Sequence, residues 1–72
     1  MDMHHLVTMA NNIGDFFAAM TDPVEAREGI AGHIRKFWEP RMRQQMQQHL
    51  QQGGEGLHPL VREALQLHGL AA

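Results

Sequence analysis

Six histidines in so short a chain, at positions 4, 5, 33, 49, 58 and 68, are the first residues that could do chemistry. Helical zinc sites place two imidazoles on one face, four residues apart, often as His-Glu-x-x-His. No two histidines here stand four apart. His4 and His5 are adjacent, so on a helix they point about 100° apart. Asp2-Met3-His4 could take Cu(II) or Ni(II) only after loss of Met1, and Asp2 disfavours that processing. Cysteine is absent, which excludes thiolate zinc sites and Fe–S clusters. Serine is absent too, and neither Thr8 nor Thr21 has a neighbouring base to make it a nucleophile. Asp15, Asp22, Glu25 and Glu28 lie close in sequence, but helix capping explains Asp22 and Glu25, and solvated helix faces explain the others. Gly53-Gly54-x-Gly56 lacks the preceding strand and the Lys-Ser/Thr of a phosphate loop. No catalytic, cofactor-binding or metal-binding residue is therefore assigned, and the chain is not expected to be an enzyme by itself.

The elements that must carry any other function are helices. The 72 residues are read as one small helical domain over 1–72, with a net charge of −2. That balance argues against a nucleic-acid coat. The longest apolar run, from Phe16 to Met20, falls far short of the roughly 20 residues a membrane span needs. The first residues show no basic segment of a secretory signal, and the lack of cysteine favours a reducing, cytoplasmic setting. A chain this short is marginally stable alone, so support from a partner or from self-association is expected.

The spacing predicts an all-α fold, a small bundle of about four short helices. The first runs from about Asp2 to Met20, with Leu6, Met9, Ala10, Ile13, Phe17 and Met20 at helical spacing. Phe16, Val7, Gly14 and Ala18 widen its apolar arc beyond what a surface helix needs, so it is either central in the bundle or docked on another protein. His4, His5, Thr8, Asn11, Asn12, Asp15 and Ala19 fall on its other side. A second helix starts at Asp22-Pro23, with Glu25 three residues after the cap. It buries Ala26, Ile30, Ile34 and Phe37 and ends near Trp38, before Pro40. Gly29 and Gly32 weaken it; close approach of another backbone is one reason to keep them, and a mere accident of the surface is the other. A third helix runs from about Pro40 to Gly53-Gly54 on a thin seam of Met42, Met46 and Leu50, with Gln at 44, 45, 47, 48, 51 and 52 on its solvated face. A fourth begins near Pro59, with His58 a weak cap. Leu57, Val61, Ala64, Leu65 and His68 form its face, and Gly69 is a left-handed C-cap that brings Leu70 to Leu65. No segment has strand alternation.

The strongest local feature is His33-Ile34-Arg35-Lys36-Phe37-Trp38-Glu39-Pro40-Arg41-Met42-Arg43, which holds four of the six cations against one carboxylate. Trp and Arg are enriched in binding hot spots, and Met adapts to irregular surfaces. Arg35, Lys36, Phe37, Trp38, Pro40, Arg41 and Met42 are the candidate partner-binding set, with Trp38 as its anchor. The competing reading places Phe37 and Trp38 in the core with a solvated rim of cations. A helix-turn-helix DNA reader would also put cations near such a turn, but the rest of the chain is acidic.

Three blocks resemble one family. They are Leu6-Val7-x-Met9-Ala10-Asn11-x-Ile13-x-x-Phe16-Phe17, then His33 to Met42, then Gly53-Gly54-x-Gly56-Leu57-x-Pro59-Leu60-Val61-Arg62-x-Ala64. The family is the delta subunit of soluble NAD-dependent, molybdenum- or tungsten-containing formate dehydrogenases, and the likeness runs from about Leu6 to Leu67. Glu39 stands where Asp is expected, which implies a looser start to the third helix. The Gln run is also unlike a typical member. The resemblance implies a non-catalytic accessory subunit that binds and stabilises the large alpha subunit, and through it meets the beta and gamma subunits. It implies that bis-molybdopterin guanine dinucleotide, Fe–S clusters and FMN sit on those other subunits, and none on this chain. Neither nucleic acid nor membrane is an expected partner. A transient chaperone for molybdenum cofactor insertion, or a self-contained homo-oligomer, are the alternatives.

Overall fold

The computed structural model describes residues 2–70. They form four helices and no strand: α1 (Met3–Met20), α2 (Pro23–Phe37), α3 (Pro40–Gln51) and α4 (Pro59–His68). Local chemistry sets the boundaries. The Asp2 carboxylate accepts from the backbone N–H of His4, and that of Asp22 from the N–H of Glu25 at 3.0 Å. Proline opens α2, α3 and α4, where its missing N–H costs nothing. At the start of α3 the Glu39 side chain makes no cap hydrogen bond. α3 ends in a Schellman motif. Gly54 N–H bonds the His49 carbonyl at 2.9 Å and Gly53 N–H bonds that of Leu50 at 3.1 Å, with Gly53 at φ +113°.

Buried side chains follow rows of four. Leu6, Ala10 and Gly14 form the buried ridge of α1, and Ala26, Ile30 and Ile34 that of α2, continuing into Trp38. Met46 of α3 and Leu57, Val61, Ala64, Leu65 and Leu70 complete the core. α1 and α2 are joined by a tight turn, and Gly14 receives Val61 of α4 at a point where a Cβ would collide with its Cγ2. α2 and α4 run in the same direction: Arg27 meets Glu63 at 3.4 Å, and further along Arg35 Nη1 donates to the His68 carbonyl at 3.2 Å.

Three expectations change. Phe37 was expected on the buried face of α2, but it stands three residues after Ile34, rotated off the row of four, and is 67% exposed. Gly69 has the expected positive φ of 79°, but its ψ of 177° is extended rather than left-handed helical, and Leu70 joins the buried cluster that holds Leu65. Asn11 is not simply solvated. Its side-chain amide donates to the Gly56 carbonyl and accepts from His58 N–H, both at 2.9 Å, so α1 clamps the connection that leads into α4. Asp15 adds a contact to His58 Nδ1 at 3.1 Å.

Candidate docking surface

The basic aromatic segment divides between core and surface. Trp38, the residue singled out as a docking anchor, is 6% exposed and packs in the core. It lies four residues after Ile34 and so extends the buried row of α2 even as its own backbone turns out of the helix at ψ 141°. Arg35 and Arg43 are half-buried, and their guanidinium groups donate to the carbonyls of His68 and Leu70. They close the C-terminal end of α4 onto α2 and α3, where free helix carbonyls need donors. Met42 is half-buried and packs against the core. Lys36, Phe37, Pro40 and Arg41 are exposed. Of the seven residues in the candidate set, the structure thus brings Lys36, Phe37, Pro40 and Arg41 to the surface and gives Trp38, Arg35 and Met42 roles in the fold.

The exposed Phe37 is continuous with a surface that sequence reasoning did not assemble. Its ring lies 4.8 Å from that of His33, His33 lies 6.4 Å from Phe17, and Phe17 stands edge-on to Phe16 at 5.3 Å. This aromatic ladder crosses from α2 to α1. Phe16 is 59% and Met20 68% exposed. Two shallow grooves flank the ladder: one between Phe17, Gly29, Gly32, Lys36 and Phe37, the other between Asn12, Ile13, Phe16 and His33. Large aromatics left in water on adjoining helices are the ordinary signature of an interaction site. The available signal was the over-wide apolar arc of α1, to which Phe16 belongs as one of the widening residues and Met20 as the last residue of the seam.

The two α2 glycines differ. A Cβ at Gly29 would strike the Phe17 ring at 2.5 Å, so what approaches here is a side chain rather than a backbone. A Cβ at Gly32 would meet nothing within 4 Å. Mid-helix glycine costs about 1 kcal/mol relative to alanine. Packing within the chain accounts for Gly29 and not for Gly32.

The model of the NADH-dependent formate dehydrogenase delta subunit family, FdsD, matches residues 5–65. The chain belongs to this delta subunit family. No curated protein and no solved structure matches it. The family match covers α1 from its third residue, all of α2 and α3 and most of α4, and with them every residue of the aromatic ladder. This delta-family chain is thus a subunit of a formate dehydrogenase complex, and the other subunits are its partners. It has no cysteine, and among the described residues no group of three or more His, Asp or Glu side chains could hold a metal ion. No helix among the described residues is long and apolar enough to cross a membrane.

Proposed function

We propose that this delta subunit is a non-catalytic accessory chain that binds the large alpha subunit in the cytoplasm and stabilises its assembled, cofactor-loaded state. The observation that carries the reading is the exposed aromatic ladder from Phe16 through Phe17 and His33 to Phe37, in a chain whose family is defined by membership of the enzyme. Burying that face on a partner removes apolar surface from water, and a ligand that binds only the folded partner stabilises it by mass action. The bis-molybdopterin guanine dinucleotide, Fe–S clusters and FMN belong to the other subunits in this reading, and the delta chain acts on them through the shape of the alpha subunit. Lys36, Phe37, Pro40 and Arg41 remain as contacts from the sequence-derived set, and Phe16 and Met20 join them.

The test is co-expression of the tagged chain with the alpha subunit alone, followed by gel filtration. A stoichiometric complex, lost in a Phe16→Glu/Phe37→Glu variant that remains helical, is the expected result. Association that requires beta or gamma, or a chain that leaves once the molybdenum cofactor is inserted, would overturn a permanent alpha-bound role. The second of those outcomes would establish a maturation chaperone instead.

A further inference from the structure

The docking surface has a shape and a charge that specify more than an apolar partner. Gly32 lies mid-helix, half-exposed, on the floor of the groove between Phe17 and Phe37, and no atom of the chain fills the space above it. A glycine in that position lets a second backbone come closer than any other residue would. The Phe17 ring covers Gly29, so the open stretch runs from Gly32 to Phe37, about 7.5 Å of helix and room for one turn of another helix. The aromatic rings of Phe17 and Phe37 line the groove.

The charges of this groove are of one sign. Arg35 and Lys36 line it and no carboxylate does. The Arg35 guanidinium is committed to the His68 carbonyl. Lys36 is exposed, and among the described residues no ion pair involves it. The groove therefore offers apolar walls, a bare floor and a single free ammonium at one end. The matching occupant has an apolar, small-residue face and a carboxylate at the corresponding end.

Resting on the accessory-subunit reading above, we propose that the α1–α2 groove seats an acidic amphipathic helix of the large subunit, crossing α2 at Gly32 with a carboxylate on Lys36. A β-strand is not matched, since the described residues offer no sheet edge to extend. Nor is a nucleic acid, whose phosphates need several cations together.

Gly32 allows a test in which folding and docking move in opposite directions. Binding of the purified full chain to delta-free enzyme is measured for wild type, Gly32→Ala, Gly32→Leu, Lys36→Glu and Lys36→Gln, with a thermal melt of each chain. Because a Cβ at Gly32 meets nothing within the chain, Gly32→Ala should raise the melting temperature. The same methyl group should weaken binding by about tenfold, and Gly32→Leu should weaken it further while remaining helical. Lys36→Glu should weaken binding about tenfold, more than Lys36→Gln, with the difference shrinking at about 0.5 M salt. If wild type binds and Gly32→Leu binds equally well, the groove is not the seat, although the accessory role stands. If Lys36→Glu binds more tightly, the occupant is basic and the proposal fails. If wild type does not bind delta-free enzyme at all, the accessory reading itself fails.

Discussion

Trp38 and Phe37 are neighbours in sequence with opposite fates, and replacing each by alanine tests the assignment. Trp38 is 6% exposed in the core. A buried aromatic of that size removes about 150–250 Å² from water. At about 25 cal/mol per Å², this gives about 4–6 kcal/mol as an upper bound. Core Trp→Ala truncations cost about 3–5 kcal/mol, which is most of the stability a domain of this length can have. Phe37 is 67% exposed, so only about a third of a phenylalanine's roughly 2–3 kcal/mol is at stake. The better helix propensity of alanine returns about 0.5 kcal/mol of that. The net expectation for Phe37→Ala is a cost of about 0.5 kcal/mol or less. Urea unfolding followed by far-UV circular dichroism reads both. Trp38→Ala should lose its cooperative transition or shift it sharply to lower urea, and Phe37→Ala should superimpose closely on wild type. Because Trp38 is the only tryptophan, its emission gives a second probe of the Phe37 variant. Equal costs for the two variants, or an unshifted Trp38→Ala midpoint, would refute the row-of-four argument that places one inside and the other outside.

Gly14→Ala should destabilise by about 1–3 kcal/mol in the same urea assay despite better helix propensity, because the new methyl group collides with Val61. Asn11→Ala should cost about 1–2 kcal/mol and speed proteolytic nicking within 53–58, since it frees both the Gly56 carbonyl and the His58 N–H. Glu39→Asp should add about 0.5–1 kcal/mol by supplying the cap that α3 lacks, read as a higher melting temperature. Hydrogen bonding from the backbone N–H of Glu25 holds the Asp22 carboxyl below its ordinary pKa of 3.8. The stabilisation is therefore complete above that value and is lost as the pH falls through the lowered folded-state value. Melting temperature against pH should show a weaker acid dependence below about pH 4 for Asp22→Asn than for wild type.

Much of the fold was written in short-range signals. Asp22-Pro23, Pro40, Pro59 and Gly53-Gly54 each fix a helix boundary through one residue's own chemistry, and all four boundaries fall where the sequence puts them. The faces were harder to read. An apolar arc drawn by angle takes in Phe37 and leaves Trp38 near its edge, whereas in the fold Trp38 is buried and Phe37 is exposed. The docking surface was legible only as an excess of apolar residues on α1. Its location depends on Phe17 meeting His33 across two helices, a contact that no local pattern encodes. The clamp from Asn11 to the 53–58 connection spans more than forty residues and has no sequence signal at all. The basic cluster was visible, but its division was not. Arg35 and Arg43 are consumed by carbonyls of the chain's own last described turn, which leaves Lys36 and Arg41 for solvent or partner.

The central claim is that the face bearing Phe16, Met20 and Phe37 is covered in the assembled enzyme. Hydroxyl-radical footprinting of the chain, free and within the purified formate dehydrogenase, measures this side chain by side chain. The account predicts that Phe16, Met20 and Phe37 label strongly when free and are protected on assembly. It predicts that buried Trp38 stays protected in both states and that Leu67, 69% exposed in a separate groove with Arg27, Glu63 and Gln66, keeps its labelling. Unchanged labelling of Phe16 and Phe37 in the complex, with protection appearing on the glutamine face of α3 instead, would contradict it.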